Sequence, residues 1–151
     1  FAEMPTQQGE KLNIVKAVRL SLEIFKEKHI VFESDTDRLV IDIDRPQIVR
    51  IMTNLIKNAI QACENNKSPL IKVSIKKISK TVRITVKDNG SGIPLNIRKN
   101  IFEPNFTTKS GGMGLGLGMV KNLVNSYGGK IDFESKINKG TIFKITFPIP
   151  N

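Results

Sequence analysis

Asp88-Asn89-Gly90-Ser91-Gly92-Ile93-Pro94 follows a segment in which Val82, Ile84 and Val86 alternate with polar residues. Alternation of period two marks a strand with one buried face, so the aspartate falls where that strand ends and the chain turns sharply. A carboxylate placed there can accept a hydrogen bond from an exocyclic amine such as adenine N6. The glycines would let a flat ring approach the backbone without meeting a Cβ. The same residues also suit an Asx turn leaving a strand, and the stretch alone leaves both readings open.

Upstream, Ile71, Val73 and Ile75 show the same alternation, and Ser79-Lys80 links the two runs as a hairpin whose strands should be central. Before them, Ile48, Met52, Leu55 and Ala59 recur at a period near 3.6, opened by Pro46 and ending about Cys63, which predicts a helix. A first amphipathic helix is predicted over 13–28 from Ile14, Val18, Leu22 and Phe25, with Asn13 as its N-cap. Between these helices, strand candidates at 30–33 and 39–43 flank Ser34-Asp35-Thr36-Asp37 and read as an antiparallel hairpin.

Downstream, seven glycines and two prolines between Asp88 and Gly118 imply a long functional loop. Helical spacing resumes with Leu117, Val120, Leu123, Val124 and Tyr127, stops at Gly128-Gly129, and gives way to strands near 131–134 and 141–147. The whole order predicts an α/β two-layer sandwich: a mixed, mostly antiparallel sheet of about five strands, covered on one face by about three helices. Residues 1–10 show no apolar periodicity and read as a linker from an upstream domain.

The chain has 151 residues, 39% of them hydrophobic and 25% charged, which fits one soluble globular domain. It contains no run of about 20 apolar residues and no signal-peptide pattern at its start. The single cysteine, Cys63, excludes an intrachain disulfide, suits a reducing compartment, and with the single histidine, His29, argues against zinc. The net charge of +10 admits nucleic acid binding or solvated lysines beside a phosphate site. The lysines fall mostly at polar positions of alternating strands with few aromatics between them, which favours the second.

Asn54 and Asn58, four apart, lie on one helix face at the shoulder of the apolar stripe. A neutral amide oxygen there can bind magnesium beside nucleotide phosphates without carboxylate repulsion; a pair of exposed helix asparagines is the plain alternative. Gly111-Gly112-Met113-Gly114-Leu115-Gly116-Leu117-Gly118 leads into a helix, so its amides and the helix's positive end can face an anion. It is neither a Walker loop, lacking a glycine-lysine-threonine ending, nor a dinucleotide fingerprint, since no strand precedes it.

Together, Asn54-Leu55-Ile56-Lys57-Asn58-Ala59, Asp88-Asn89-Gly90-Ser91-Gly92-Ile93-Pro94 and the glycine run resemble the histidine kinase catalytic domain family. Ile101-Phe102-Glu103-Pro104-Asn105-Phe106-Thr107-Thr108-Lys109 resembles its F box, and Gly128-Gly129-Lys130-Ile131 with Gly140-Thr141-Ile142-Phe143 its terminal signature. The ending Asn58-Ala59-Ile60-Gln61-Ala62 is similar to the nitrogen-regulation kinases; Gln61 stands where many relatives carry a basic residue.

The resemblance implies the Bergerat ATP-binding fold over residues 11–151, with a mobile lid at about 96–112. It implies ATP and magnesium as ligands: Asn54 and Asn58 would hold the metal and phosphates, Asp88 the adenine amine, and Gly92 the floor of the base pocket. Thr141 would support Asp88, and Lys109 would contact phosphate. Ala62, Gly90, Ile93, Phe106, Thr107, Thr108, Gly112, Met113, Gly114, Leu115, Gly116 and Leu117 would complete the nucleotide contacts.

The implied activity is transfer of the γ-phosphoryl group of ATP to a histidine on a separate dimerisation domain, with a response regulator downstream. His29 lacks the acidic and proline neighbours of the family's acceptor motif. The implied domain is cytoplasmic and monomeric alone, binding neither nucleic acid nor membrane, within a parent for which anchoring in the inner membrane stays open. Two alternatives stand beside this: a serine kinase of the anti-sigma-factor type, and an ATPase like those of gyrase, chaperones and mismatch repair. The second uses a glutamate to activate water where this chain has Asn54, and an amide cannot act as that base.

Overall fold

In the computed structural model, residues 9–27, 29–104, 106 and 116–151 are described. The element order is β1 (Lys11–Asn13), α1 (Ile14–Leu22), β2 (Ile30–Ser34), β3 (Val40–Asp42), α2 (Arg45–Ala62), β4 (Ile71–Ile78), β5 (Thr81–Asp88), a short 3-10 helix (Leu95–Asn100), α3 (Leu117–Ser126), β6 (Lys130–Lys136) and β7 (Gly140–Pro148).

The alternation in β4, β5 and β7 turns one set of side chains inward, and Ile71, Val73, Ile75, Val82, Ile84, Val86, Phe143, Ile145 and Phe147 are all buried. Each such side chain contributes about 2 kcal/mol by leaving water. Above them lies α2, which buries Ile48, Ile51, Met52, Leu55, Ile56 and Ala59 and packs on β4, β5 and β7. α1 packs on α2, while α3 packs on α2 and β6. The other sheet face carries Lys72, Lys76, Arg83 and Lys87, which explains much of the basic composition as an open surface. The five strands run β2-β4-β5-β7-β6, with β4, β5, β7 and β6 antiparallel and β2 parallel to β4. The expected two-layer, mixed sheet is therefore present, with β5 at its centre.

The expected hairpin between the second and third strands is not. β2 joins the edge of the large sheet beside β4, with Ile30 opposite Ile71. β3 instead pairs antiparallel with β1 in a separate ribbon, Leu12 opposite Ile41. Parallel pairing of β2 with β4 needs a long crossover, and β3 with α2 supplies it. β3 must leave the sheet for the helical layer, where Ile41 and Ile43 are buried.

α1 also ends earlier than the predicted 13–28, at Leu22. Ile24 is 61% exposed, so a longer helix would gain nothing by continuing there. Both helix caps are diverted to tertiary work. Asn13 holds the N-cap position of α1 without a side-chain cap, because its Oδ1 accepts the Leu39 N–H at 3.2 Å. Asp44 precedes α2 in the same way, accepting from Glu10 N–H at 3.1 Å and Tyr127 O–H at 3.0 Å. No helix among the described residues is long and apolar enough to cross a membrane.

Candidate functional site

β5 buries Val82, Ile84, Val86 and then Asp88, so the period of the strand that builds the core also drives a carboxylate inward at its last position. There Asp88 is 5% exposed and forms part of the wall of a cavity of about 790 Å³. α2 contributes Asn58, Gln61 and Ala62 to that cavity, and the loop after it Glu64, Asn65, Asn66 and Lys67. The opposite wall comes from Asn89 to Pro94, Ile97, and Ile137 with Asn138 in the β6–β7 turn, while Thr141 and Phe143 come from β7.

Burial pushes the Asp88 carboxyl above the usual aspartate range, and the backbone N–H groups of Gly90 and Thr141 pull it partway back. The Gly90 N–H lies 2.8 Å from its Oδ1. Thr141 sits opposite Asp88 in the β5–β7 register. Its hydroxyl reaches the Ser135 hydroxyl at 2.8 Å.

The turn after Asp88 is fastened on both sides. Ser91 N–H donates to the Ala62 carbonyl at 3.0 Å, and Asn138 N–H donates to the Ser91 carbonyl at 2.8 Å. Gly92, with φ +80°, lies against the Lys136 carbonyl. The Asn89 side chain ties the turn to the segment before β4: it accepts from Leu70 N–H at 2.8 Å and donates to the Ser68 carbonyl at 2.9 Å. The Asn66 amide closes that loop onto the Asn89 carbonyl at 2.7 Å. Cys63 is buried beside Asn89, and burial raises its thiol pKa.

On α2, the Asn58 amide donates to Asn54 Oδ1 at 3.3 Å. Asn54 in turn abuts Gly116, whose left-handed φ of +57° opens α3; a Cβ on Gly116 would collide with the Asn54 amide. The end of the glycine run thus meets the asparagine pair, although Asn54 itself does not line the cavity. Leu117 sends its side chain into the core, leaving only its backbone at the helix start, and Phe106 is half-buried against the core. Thr107, Thr108, Lys109, Gly112, Met113, Gly114 and Leu115 lie outside the described residues.

Of the sequence-derived set, Asn58, Ala62, Asp88, Gly90, Gly92, Ile93 and Thr141 therefore share one cavity. Among the described residues no group of three or more His, Cys, Asp or Glu side chains could hold a metal. Two neighbouring amides fit a magnesium ion that arrives with phosphate oxygens and keeps waters, rather than a cage of protein carboxylates.

Sequence reasoning missed Asn65, Asn66, Lys67, Ile137 and Asn138, whose loops converge only in the folded chain, and it missed Ser135. One signal for Ser135 was present: Ile131, Phe133 and Ser135 share a strand face, so a small polar residue stands at an inward position.

Residues 43–151 match the family described as histidine kinase-, DNA gyrase B-, and HSP90-like ATPase. Sporulation kinase A of Bacillus subtilis (strain 168) is 38% identical over 114 residues, covering 76% of this chain and 18% of that protein. The sensory histidine kinase/phosphatase NtrB of Vibrio alginolyticus is 31% identical over 162 residues, covering 96% of this chain and 46% of that protein. The chain thus spans less than half the length of these curated relatives. Among solved structures, the nucleotide-free catalytic domain of histidine kinase ThkA aligns with a TM-score of 0.83 at 31% identity, over 95% of this chain and 97% of that one.

Proposed function

The chain belongs to the histidine kinase-, DNA gyrase B- and HSP90-like ATPase family, as a catalytic domain of the sensor histidine kinase branch, and from that premise we propose that it binds Mg-ATP and donates the γ-phosphoryl group to a histidine on a separate dimerisation domain. The observation that carries this reading is Asp88: a buried carboxyl group on the wall of a cavity large enough for a nucleotide. Such a group favours a ligand that brings hydrogen-bond donors, and the 6-amino group of adenine is one. Asn58 lines the same cavity and contacts Asn54, which meets the start of α3, where backbone amides and the helix dipole favour phosphate.

In this reading Asn54 and Asn58 would hold a magnesium ion carried by the nucleotide, and the ion would neutralise charge on the phosphates. The protein's own part is to position the nucleotide and exclude water, with Lys109 contacting phosphate. The β–γ phosphoanhydride bond breaks, a phosphorus–nitrogen bond forms at the acceptor imidazole, and ADP leaves. His29 lacks the acidic and proline neighbours of the acceptor motif, and it stands at the start of the β2–β4 pairing, where its carbonyl takes the Ile71 N–H at 3.0 Å. Residues 11–151 would be the catalytic domain, 1–10 the connection to the dimerisation domain, and 96–112 the lid. The phosphoryl group would pass onward to a response regulator.

Calorimetry with Mg-ATP tests the binding step. Wild-type protein should release heat and Asp88→Asn should not; identical traces from the two would sink the site assignment. Radiolabelled ATP should leave this chain unlabelled and label an added dimerisation domain, whereas strong self-labelling at serine would point to the anti-sigma-factor type of kinase.

A further inference from the structure

We infer that Ser135 is a positioning residue for the base pocket, holding the turn after Asp88 to the edge of the sheet. Its Oγ accepts the Ile93 N–H at 2.8 Å, lies 2.8 Å from Thr141 Oγ1, and donates to the Gly140 carbonyl at 3.3 Å. One hydroxyl therefore joins three groups: the end of the turn, the residue whose N–H supports Asp88, and the glycine packed on the Asp88 carbonyl.

A serine oxygen has one proton and two acceptor sites, and these partners use that full capacity. Ile93 is 8% exposed and belongs to both the core and the cavity wall, so its N–H depends on Ser135 for an acceptor. Two further fastenings of the turn, Ser91 to Ala62 and Asn138 to Ser91, are main-chain bonds that any side chain at those positions would keep, and the Asn66 amide holds the Asn89 carbonyl at its start. Arg98 Nε donates to the Ile93 carbonyl at 2.9 Å, and Ser135 supplies the tie from the Ile93 N–H to the β6–β7 edge. Without it, the Ile93 N–H would lose its acceptor and the end of the turn its link to Thr141, and the base would meet a floor less firmly held relative to Asp88.

The inference rests on the nucleotide-binding reading above, and calorimetry with Mg-ADP on wild type, Ser135→Ala, Ser135→Thr and Ser135→Cys separates the two. If wild type fails to bind ADP, the binding reading itself fails. If wild type binds, Ser135→Ala should weaken ADP by about tenfold, the loss expected of one hydrogen bond in the site. Ser135→Thr, which keeps the hydroxyl, should return to within about twofold of wild type, and Ser135→Cys, a weak acceptor of similar size, should fall between. Amide hydrogen exchange should quicken at Ile93 in Ser135→Ala while Val86 and Ile145 stay protected. Wild-type affinity in Ser135→Ala, or a threonine variant as weak as the alanine one, would overturn the inference. So would loss of the fold in both the alanine and cysteine variants, since Ser135 would then be part of the general scaffold.

Discussion

Gly140 lies so close to the main-chain carbonyl of Asp88 that a Cβ built on it would overlap that oxygen. The β5–β7 ladder places Thr141 opposite Asp88, so the strand that supports the carboxylate begins at the residue that must carry no side chain. Its φ of +128° is also a region that side chains rarely adopt.

Gly140→Ala should therefore lose about 1–3 kcal/mol of stability from backbone strain, with the overlap adding to it. Urea unfolding measures that loss. Nucleotide affinity should fall in the same variant, because the chain must move away from Asp88 to make room. An alanine variant with unchanged midpoint and affinity would show that the approach relaxes without cost.

The Asp88 carboxyl should also mark the pH dependence of the nucleotide-free domain. Its pKa is raised in the fold, so the folded state holds the proton more tightly than the unfolded chain does. The favourable part is present below the ordinary aspartate value and is lost as pH rises through the raised one. Above the raised value the cost of burying the charge is fully in place. Asp88→Asn removes that cost, so its thermal midpoint should gain on wild type across this window and then keep a constant lead. A lead that shrinks with rising pH would contradict the sign.

Asn58→Ala should separate the metal from the base. The amide pair sits on α2 and Asp88 at the end of β5, so ATP affinity with magnesium should drop about tenfold, the scale of one lost polar contact. Affinity in the presence of a chelator should change little. Equal losses in both conditions would assign Asn58 to packing rather than to the metal.

Tyr127→Phe probes the scaffold away from the site. The Tyr127 hydroxyl donates to Asp44 at 3.0 Å, tying the end of α3 to the start of α2, and burial pushes the phenol's pKa upward. Removing a hydrogen bond to a charged acceptor costs about 1.5–3 kcal/mol. The thermal midpoint should fall by several degrees while ADP affinity stays within about twofold, since Tyr127 does not line the cavity. A selective loss of affinity would instead couple α3 to the nucleotide.

The elements that were legible in advance share one property: each shows its own buried face. Alternation at Val82, Ile84 and Val86 located β5, and the 3.6-residue recurrence of Ile48, Met52, Leu55 and Ala59 located α2 to within a residue or two. The β2–β3 hairpin failed for the converse reason. A polar turn between two short apolar runs says that the chain bends, but β2 found more to pair with at the β4 edge than at β3. Asn13 was placed correctly at the start of α1, yet its side chain answered Leu39 across the fold instead of its own helix.

By itself, then, the sequence determined the two-layer architecture and the place of Asp88 at the end of a strand with one buried face, because hydrophobic periods of 2 and 3.6 are local statements about which face leaves water. Only the tertiary structure decided which strands became partners, that Gly116 meets Asn54, and that Ser135 fastens Ile93. These depend on contacts between residues far apart in the chain, and a hydrogen bond or a close approach leaves no period in the sequence to reveal its partner.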